Sequence, residues 1–460
     1  MITRAAKYVD DDMVSGQMLF SCVKEHMGEV SRYERLKRYY EGRGDVKNRV
    51  RTQGLPNNRI CHGFARFIST MASGYLAGKP VKYEARGAGA VVEDIIRHYE
   101  DCDMHSVDAE LARLASVYGK ACEIVYADER ARPMSACLPA SECFVVYDDG
   151  IRREPLFAVH IAARQKADGS DDGLRLDVYS KTRICRYEVE NLDMIKYARP
   201  VGEAEHFFGS VPVIEYWNGD DERGDFEPVI DLIDAYDMLQ SDRVNDKEQF
   251  VDALLVMTGC RLDIDEAGRS PGRQLREDKS ISIPDGADIK WLYKSLSESD
   301  TEVLRRAIND DIHKMSMIPD LTDQNFAGNS SGVAMKYKLL GFEQLTRVKE
   351  RWFCQGLRSR LRLYAGYMAV RGAMPADVEK VNIVFSRGLP VNELEQAQII
   401  AQLRQINAIA LDTAVERANP GWDDGRVESE VENILTTPGS NAEMFEQVLR
   451  MKETASGSKE

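Results

Sequence analysis

Apolar residues recur at three- and four-residue spacing through much of the first 120 residues, and this period predicts amphipathic helices. The predicted helices are Val14–Met27, Val30–Tyr40, Ile60–Leu76, Val91–Tyr99 and Val107–Tyr118. Gly78 and Pro80 follow the third of them and predict its end, with a strand beyond.

From about Cys122 the period changes to short runs of β-branched and aromatic residues separated by Gly, Asp and Pro. Such runs predict a meander of antiparallel strands. The runs are Glu123–Tyr126, Cys143–Tyr147, Leu156–Ala162, Leu174–Tyr179 and Ile184–Val189. Helices followed by strands predict one α+β domain over Met1–Glu227.

Pro228 stands where proline is favoured, in the first turn of a helix. The pattern predicts that this helix spans Val229–Met257 and is roughly 44 Å long at 1.5 Å per residue. Cys260–Leu296 is rich in Gly and Pro and predicts a small β insert. Ser299–Glu302 has the sequence of a capping box, and a helix follows to Met317. The prediction is an α-hairpin with a small domain at its tip.

Pro319–Gly332 has no hydrophobic period, and a loop of this length is usually functional or disordered. Ser330 or Ser331 is a suitable N-cap for a helix over Val333–Val370, roughly 57 Å long if unbroken. Val381–Phe385 is predicted as a strand. The rest of the chain is predicted helical and acidic, with a frayed tail.

The chain has 460 residues and a net charge of −15. Proteins that hold nucleic acid tightly are normally basic, so this charge argues against tight, sequence-specific DNA binding. The nine cysteines are widely spaced and form no CxxC pair, which is typical of reduced thiols. The sequence shows no signal-peptide core and no apolar stretch long enough for a membrane span.

Motifs for catalysis or cofactor binding are lacking. Gly74–Pro80 superficially resembles a phosphate-binding loop, but it has three residues between the glycines and Pro80 in place of the required Ser or Thr. Asp320–Asn325 lacks the glycine and glutamate of a calcium loop. The seven histidines show no metal-ligand spacing. We therefore expect no catalytic residue, no metal and no cofactor.

Seven acids lie between Asp231 and Asp252 in the predicted first helix of the hairpin. They are compatible with a metal-dependent nuclease, although such sites need carboxylates that converge from several elements. A solvated helix face and a face toward a water-filled channel are the other two interpretations.

Several strings, taken in order along the chain, resemble the portal (head-to-tail connector) proteins of tailed bacteriophages, in the branch of the long-tailed siphophages. They are Tyr39–Gly42, Leu55–Ile60, Gly74–Val81, Ser241–Asp246 within Asp234–Gly259, Pro319–Asp320 and Asn329–Ala334. The resemblance extends from about Tyr39 to about Asn392.

The resemblance implies a mainly helical α+β portal subunit made of named parts. These parts are a wing (1–227), a stem of two helices (228–258 and 297–318), a β-containing clip (259–296), a tunnel loop (319–332), a long tunnel helix returning to the wing (333–390) and a helical crown (391–460). It also implies a homo-oligomeric ring of about twelve subunits at one capsid vertex of the virion, assembled in the bacterial cytoplasm. The implied partners are double-stranded DNA, the terminase large subunit, the head-tail adaptor, and the major capsid and scaffolding proteins, with no membrane.

The implied DNA-facing residues lie mainly in the tunnel loop. They are Asp323, Gln324, Asn325, Phe326, Asn329, Ser330 and Ser331, with Lys336 and Lys338 as possible contacts to the DNA backbone and Asp242 and Asp246 as channel-lining acids of the stem. Acidic walls would repel phosphates and let DNA slide. The alternative hypotheses are a metal-dependent nuclease and another minor capsid or scaffolding protein.

Overall fold

The computed structural model describes residues 1–10, 13–52, 55–85, 89–251, 254–258, 286, 288–292, 298–320, 337–374, 376–387, 393–419, 422 and 424–436. These residues divide into two compact units. The first contains the described residues up to 387 and the second contains those from 393 onward.

The described helices are α1 (Gly16–Tyr40), α2 (Phe64–Ala77), α3 (Ala90–Asp101), α4 (Met104–Tyr118), α5 (Ile230–Val251), α6 (Glu298–Ser316), α7 (Leu340–Val370), α8 (Glu393–Gln405), α9 (Leu411–Ala418) and α10 (Asp424–Thr436). The described strands are β1 (Ile2–Arg4), β2 (Val9–Asp10), β3 (Met13–Val14), β4 (Lys82–Glu84), β5 (Lys120–Ala127), β6 (Pro133–Pro139), β7 (Cys143–Asp148), β8 (Pro155–Gln165), β9 (Asp171–Tyr179), β10 (Arg183–Val189), β11 (Gly202–Glu205), β12 (Val213–Trp217), β13 (Leu254–Thr258), β14 (Asp288–Leu292) and β15 (Asn382–Val384).

A six-stranded sheet in the order β1-β7-β8-β9-β10-β11 carries the first core. Its strands from β7 to β11 are antiparallel, whereas β1 runs parallel to β7. One face of α1 packs against this sheet, with Leu19 and Val23 fully buried near Phe144 and Phe157. Burying such a Leu or Val side chain contributes about 1.5–3 kcal/mol. This core fixes α1 to the sheet.

A second sheet has the order β12-β5-β6 and lies next to α4 and α7. The predicted meander is confirmed for β7 to β10, but its first strand, β5, belongs to this separate sheet. Gly119 separates α4 from β5 with φ of +87°, and a Cβ there would lie 2.0 Å from the Glu222 carbonyl. Only glycine fits that turn without strain.

Other differences from the sequence predictions are local. The two predicted N-terminal helices form one helix, α1, which Ser15 caps by accepting a hydrogen bond from the Met18 amide. The predicted helix Val229–Met257 is wrong over Leu254–Thr258, which forms β13 and pairs with β14. The predicted capping box is also wrong, because α6 begins at Glu298, before Ser299.

The remaining predictions fare better. Pro228 lies in the turn that leads into α5, α2 ends at Ala77 before β4, and β15 forms where a strand was predicted and pairs with β4. Within the described part of the long helix, α7 spans Leu340–Val370. The second unit contains α8, α9 and α10, so most of the described residues from 393 to 436 are helical. Most of the predicted β insert and the predicted tail lie outside the described residues.

Candidate functional site

Residues 47–52 and 55–62, which we call the strap, lie along α5. Three alternate backbone N–H groups of the strap donate to three side chains of α5, which we call the polar stripe. The bonds run from His62 N to Asp237 Oδ1 (2.9 Å), from Ile60 N to Ser241 Oγ (3.0 Å) and from Asn58 N to Asn245 Oδ1 (2.6 Å). The residues of the polar stripe are fully buried. The strap is therefore bound through its main chain.

The spacing of these bonds follows from the geometry of the two elements. The polar stripe takes one residue from every fourth position of α5, a rise of about 6 Å per step. Two residues of extended chain cover about 6.6 Å. The rise of four helical residues and the length of two extended residues are nearly equal. Every second amide of the strap between Asn58 and His62 therefore meets an acceptor on α5. A helix face of polar residues at i, i+4 and i+8 thus serves as a partner for an extended segment.

Ion pairs fix the strap and the end of α1 to α5. Asp242 is bound by both Arg49 (2.7 Å) and Arg51. Tyr39 donates to Asp234 (2.6 Å). Burial and the hydrogen bond to Asp234 raise the pKa of Tyr39, and burial raises the pKa of Asp234. The negative charge of Asp242 is therefore compensated within the chain.

The other side of α5 contacts α6. Arg305 donates to the Tyr236 hydroxyl (3.2 Å), and Arg243 lies 3.4 Å from Glu302. Glu302 also accepts from Arg305, and this bond lowers its pKa to about 2. The two helices and the β13–β14 ribbon between them form the predicted α-hairpin.

Helix α2 supports the chain on both sides of residues 321–336, which lie outside the described residues. On the first side, His313 of α6 packs edge-to-face on Phe64 and Phe67, with ring centroids 6.2 and 5.8 Å apart. His313 also contacts the Ile318 carbonyl (2.9 Å), and Asp320 lies 3.8 Å from its other ring nitrogen. The chain that enters the predicted tunnel loop is thus anchored on α2.

On the second side, Phe342 at the start of α7 stacks on Tyr75 of α2, with centroids 4.4 Å apart. The Tyr75 hydroxyl donates to Glu343 (2.8 Å), and Arg347 and Arg387 also contact this carboxylate. Burial opposes ionisation of Glu343, but the bonds from Tyr75 and Arg347 outweigh it and lower its pKa. One helix therefore holds both the entry and the exit of the predicted loop.

Two buried cations attach α7 to α4, to β5 and to the segment between β12 and α5. Lys349 pairs with Asp225, and Arg360 pairs with Asp108 and Glu123 at 2.6 Å each. Arg360 and Glu123 are fully buried. Burial alone would lower the pKa of Arg360, but the two carboxylates outweigh it, and burial raises the pKa of Asp108.

The predicted tunnel-loop residues Asp323, Gln324, Asn325, Phe326, Asn329, Ser330 and Ser331, and also Lys336, lie outside the described residues. Lys338 is exposed just before α7. Asp242 and Asp246 lie on α5, Asp242 bound by arginines and Asp246 half-buried. Their role as channel-lining acids stays a prediction.

Sequence reasoning missed the residues that hold the hairpin. The strings Leu55–Ile60 and Ser241–Asp246 served only as marks of resemblance, and the structure shows that they bind each other. The signal available in the sequence was the four-residue spacing of the polar residues Asp237, Ser241 and Asn245 in α5. In the described ranges, no three His, Cys, Asp or Glu side chains are arranged to hold a metal ion, and no helix there is long and apolar enough to cross a membrane.

The described residues form an α+β body, a braced α-hairpin and a long helix, and comparison with known proteins identifies the class of the chain. The chain belongs to the phage portal proteins. The matching family model is the phage portal protein, SPP1 Gp6-like, which covers residues 19–456. The mainly helical α+β portal fold predicted from the sequence is thereby confirmed.

Individual relatives agree with this family. The chain is 23% identical to the portal protein of Bacillus phage SPP1 over 459 residues, which are 95% of this chain and 88% of the relative. It is 22% identical to the portal protein of Clostridium phage phiCD119 over 203 residues, 42% of each chain. Among solved structures, a chain from the neck of an empty GTA particle matches with a TM-score of 0.43 and 13% identity, over 76% of this chain and 88% of that one. At that score the likeness carries no weight.

Proposed function

We propose that this protein forms a closed ring of about twelve copies at one capsid vertex and conducts double-stranded DNA during packaging and ejection. The observation that carries the proposal is the match to the portal family over nearly the whole chain. The ring would dock the terminase large subunit and later the head-tail adaptor, next to the major capsid and scaffolding proteins. It would assemble in the bacterial cytoplasm and remain in the virion.

The bracing of the hairpin supports a conduit. A channel wall must keep its shape while a stiff polyanion passes, and α5 is held by the strap on one side and by α6 on another. A net charge of −15 per copy makes prolonged adhesion of phosphates unfavourable. Polar Asn and Ser side chains of the loop would touch DNA without gripping it.

The ring is tested by imaging the purified full-length protein in negative stain and weighing it by native mass spectrometry. We expect closed rings near twelve copies with a central hole. A stable monomer or an open filament would contradict the proposal and would favour another capsid-associated component.

The loop is tested by shortening Asn325–Gly328 in a packaging assay. Packaging should stop while rings remain intact, because the contact with DNA is lost and the ring interfaces are not. Normal filling of heads by that variant would refute the loop's role.

We also propose that the protein has no catalytic activity. A nuclease would need the carboxylates of α5 free to bind metal, whereas Arg49 and Arg51 occupy Asp242. The purified protein should leave DNA uncut in the presence of Mg²⁺ or Mn²⁺. Cleavage that disappears in Asp242→Ala would establish the nuclease instead.

A further inference from the structure

The strap carries an unusual charge for this chain. Between Arg35 and Arg66 the sequence has nine Lys or Arg residues and two acids, whereas the whole chain has a net charge of −15. Several of these cations are compensated by Asp45 and Asp242. Of the others, only Lys47 and Arg59 belong to the strap, and both are exposed there.

Two cations of the strap are each held by the other residue's main chain. Lys47 Nζ donates to the Arg59 carbonyl (2.7 Å), and Arg59 donates to the Lys47 carbonyl (2.8 Å). Both side chains are exposed and both bind carbonyls, which carry no net charge. These bonds leave both positive charges uncompensated within the pair, and an approaching anion is attracted to them. Val50, 85% exposed, and Leu55, 48% exposed, lie in the same segment. We call Lys47, Val50, Leu55 and Arg59 the strap face.

The other side of the hairpin carries the complementary chemistry. Val303 is 67% exposed and Leu304 is 50% exposed, and Ala307 and Asp311 are exposed on the same side of α6. We call these four residues the α6 face. It lies opposite the side of α6 that carries Glu302 and Arg305, which contact α5. The α6 face thus combines exposed apolar side chains with the carboxylate of Asp311, whereas the strap face combines exposed apolar side chains with two cations.

The strap and α6 contact nearly opposite sides of α5. At about 100° per residue, the polar stripe and the residues that meet α6 (Tyr236 and Arg243) are separated by roughly 150° around the helix axis. The strap face and the α6 face therefore point away from each other across the hairpin. A single chain cannot bring them together, but two neighbouring copies can, head to tail.

We propose that the strap face of one copy packs against the α6 face of the next copy around the ring. Lys47 and Arg59 would approach Asp311, and Val50 and Leu55 would cover Val303 and Leu304. The two faces differ, so the contact is heterologous and closes into a ring when the rotation per copy allows it. This inference rests on the proposed ring and names the surfaces that close it.

The main experiment reverses one charge on each face of the full-length protein. Arg59→Glu and Asp311→Arg should each lower the fraction of chains in rings by about tenfold or more at fixed concentration, because an attractive pair becomes repulsive. The double variant restores opposite charges and should recover rings. An equimolar mixture of the two single variants should also assemble, with the two kinds of chain alternating. Native mass spectrometry reads all of these outcomes.

Matched controls use exposed charges elsewhere on the chain, Arg130→Glu and Glu100→Arg, and both should assemble as the wild type does. Wild-type rings together with unchanged assembly of the single variants would overturn this inference and leave the ring itself intact. Absence of rings in the wild type would instead refute the proposed function.

A second measurement does not depend on charge reversal or on the folding of those variants. A photo-crosslinking residue, p-benzoylphenylalanine, in place of exposed Val50 should capture peptides from Glu298–Ser316 of another copy within the ring. Capture of a different region in intact rings would refute the pairing of these two faces.

Discussion

Replacing Ser241 with alanine removes the acceptor of the Ile60 amide in the middle of the polar stripe. The Ser241 side chain is fully buried and lies 3.0 Å from that amide. A buried N–H group left without a partner costs about 1–3 kcal/mol. The strap should therefore open from α5 more often, with an equilibrium constant about 5- to 150-fold larger.

Peptide-resolved hydrogen exchange measures this opening directly. Peptides that cover residues 55–62 should exchange faster in Ser241→Ala by about that factor, since amides of a locally opening segment exchange according to its own opening free energy. Peptides from β7 and β8 should be unchanged. A thermal melt would not isolate the opening of the strap, because global unfolding dominates its signal.

Ser69 supplies the matched control. It is a fully buried serine of α2 whose Oγ has no hydrogen-bond partner among the described residues. Ser69→Ala should leave exchange unchanged or slow it slightly, because it removes an unsatisfied hydroxyl. Equal acceleration of residues 55–62 in both variants would refute the assignment of the polar stripe as the holder of the strap.

Three further perturbations test the attachments of α7. Arg360→Met should destabilise the first unit by about 3–5 kcal/mol, because it leaves two buried carboxylates unpaired. Replacing the exposed Arg362 with Met should cost less than about 1 kcal/mol, and similar urea midpoints for the two variants would contradict the role of the buried ion pairs. Gly356→Ala places a Cβ 2.4 Å from the Tyr216 ring and should lower the unfolding free energy by about 1–3 kcal/mol. Gly341→Ala in the same helix meets nothing within 4 Å and should be neutral or stabilising, and thermal unfolding of both variants tests this difference. Glu343 has a lowered pKa, so the stabilisation it provides is present above the ordinary carboxyl pKa and is lost as the pH falls through the pKa of the folded state. Tyr75→Phe should therefore shrink the difference in unfolding free energy between pH 7 and pH 3, whereas the exposed Tyr337→Phe should not. Equal pH dependence of the wild type and both variants would disprove the role of Tyr75.

Elements whose residues show a clear period were predicted correctly from the sequence. The predictions failed where a partner far along the chain decides which strands pair or whether a segment is helix or strand. The strands β7 to β10 alternate and are joined by short turns, so their pattern predicted their pairing. By contrast, β5 has the same composition but pairs with β12, almost 90 residues further on, which no local pattern reveals. Leu254–Thr258 could continue a helix or form a strand, and its pairing with β14 decides for the strand.

The strap shows the same limit at the candidate site. Residues 47–52 and 55–59 show no hydrophobic period, and the main chain of the strap binds side chains of α5 that lie some 180 residues away. Asp242 was chosen from the sequence for its charge, but the arginines that compensate it are equally remote. The strings Leu55–Ile60 and Ser241–Asp246 showed the family resemblance in the sequence, but the sequence did not reveal that they bind each other.

The two buried cations of α7 have a mechanical consequence. Lys349 and Arg360 are about three turns apart, and their partners Asp225, Asp108 and Glu123 belong to the body of the first unit. Sliding α7 along its axis would pull both charges from their carboxylates at once. A push on its first turn, next to Phe342, therefore cannot be absorbed by slippage. A load on the end that follows residues 321–336 would therefore pass along α7 to α4, to β5 and to the segment that carries Asp225.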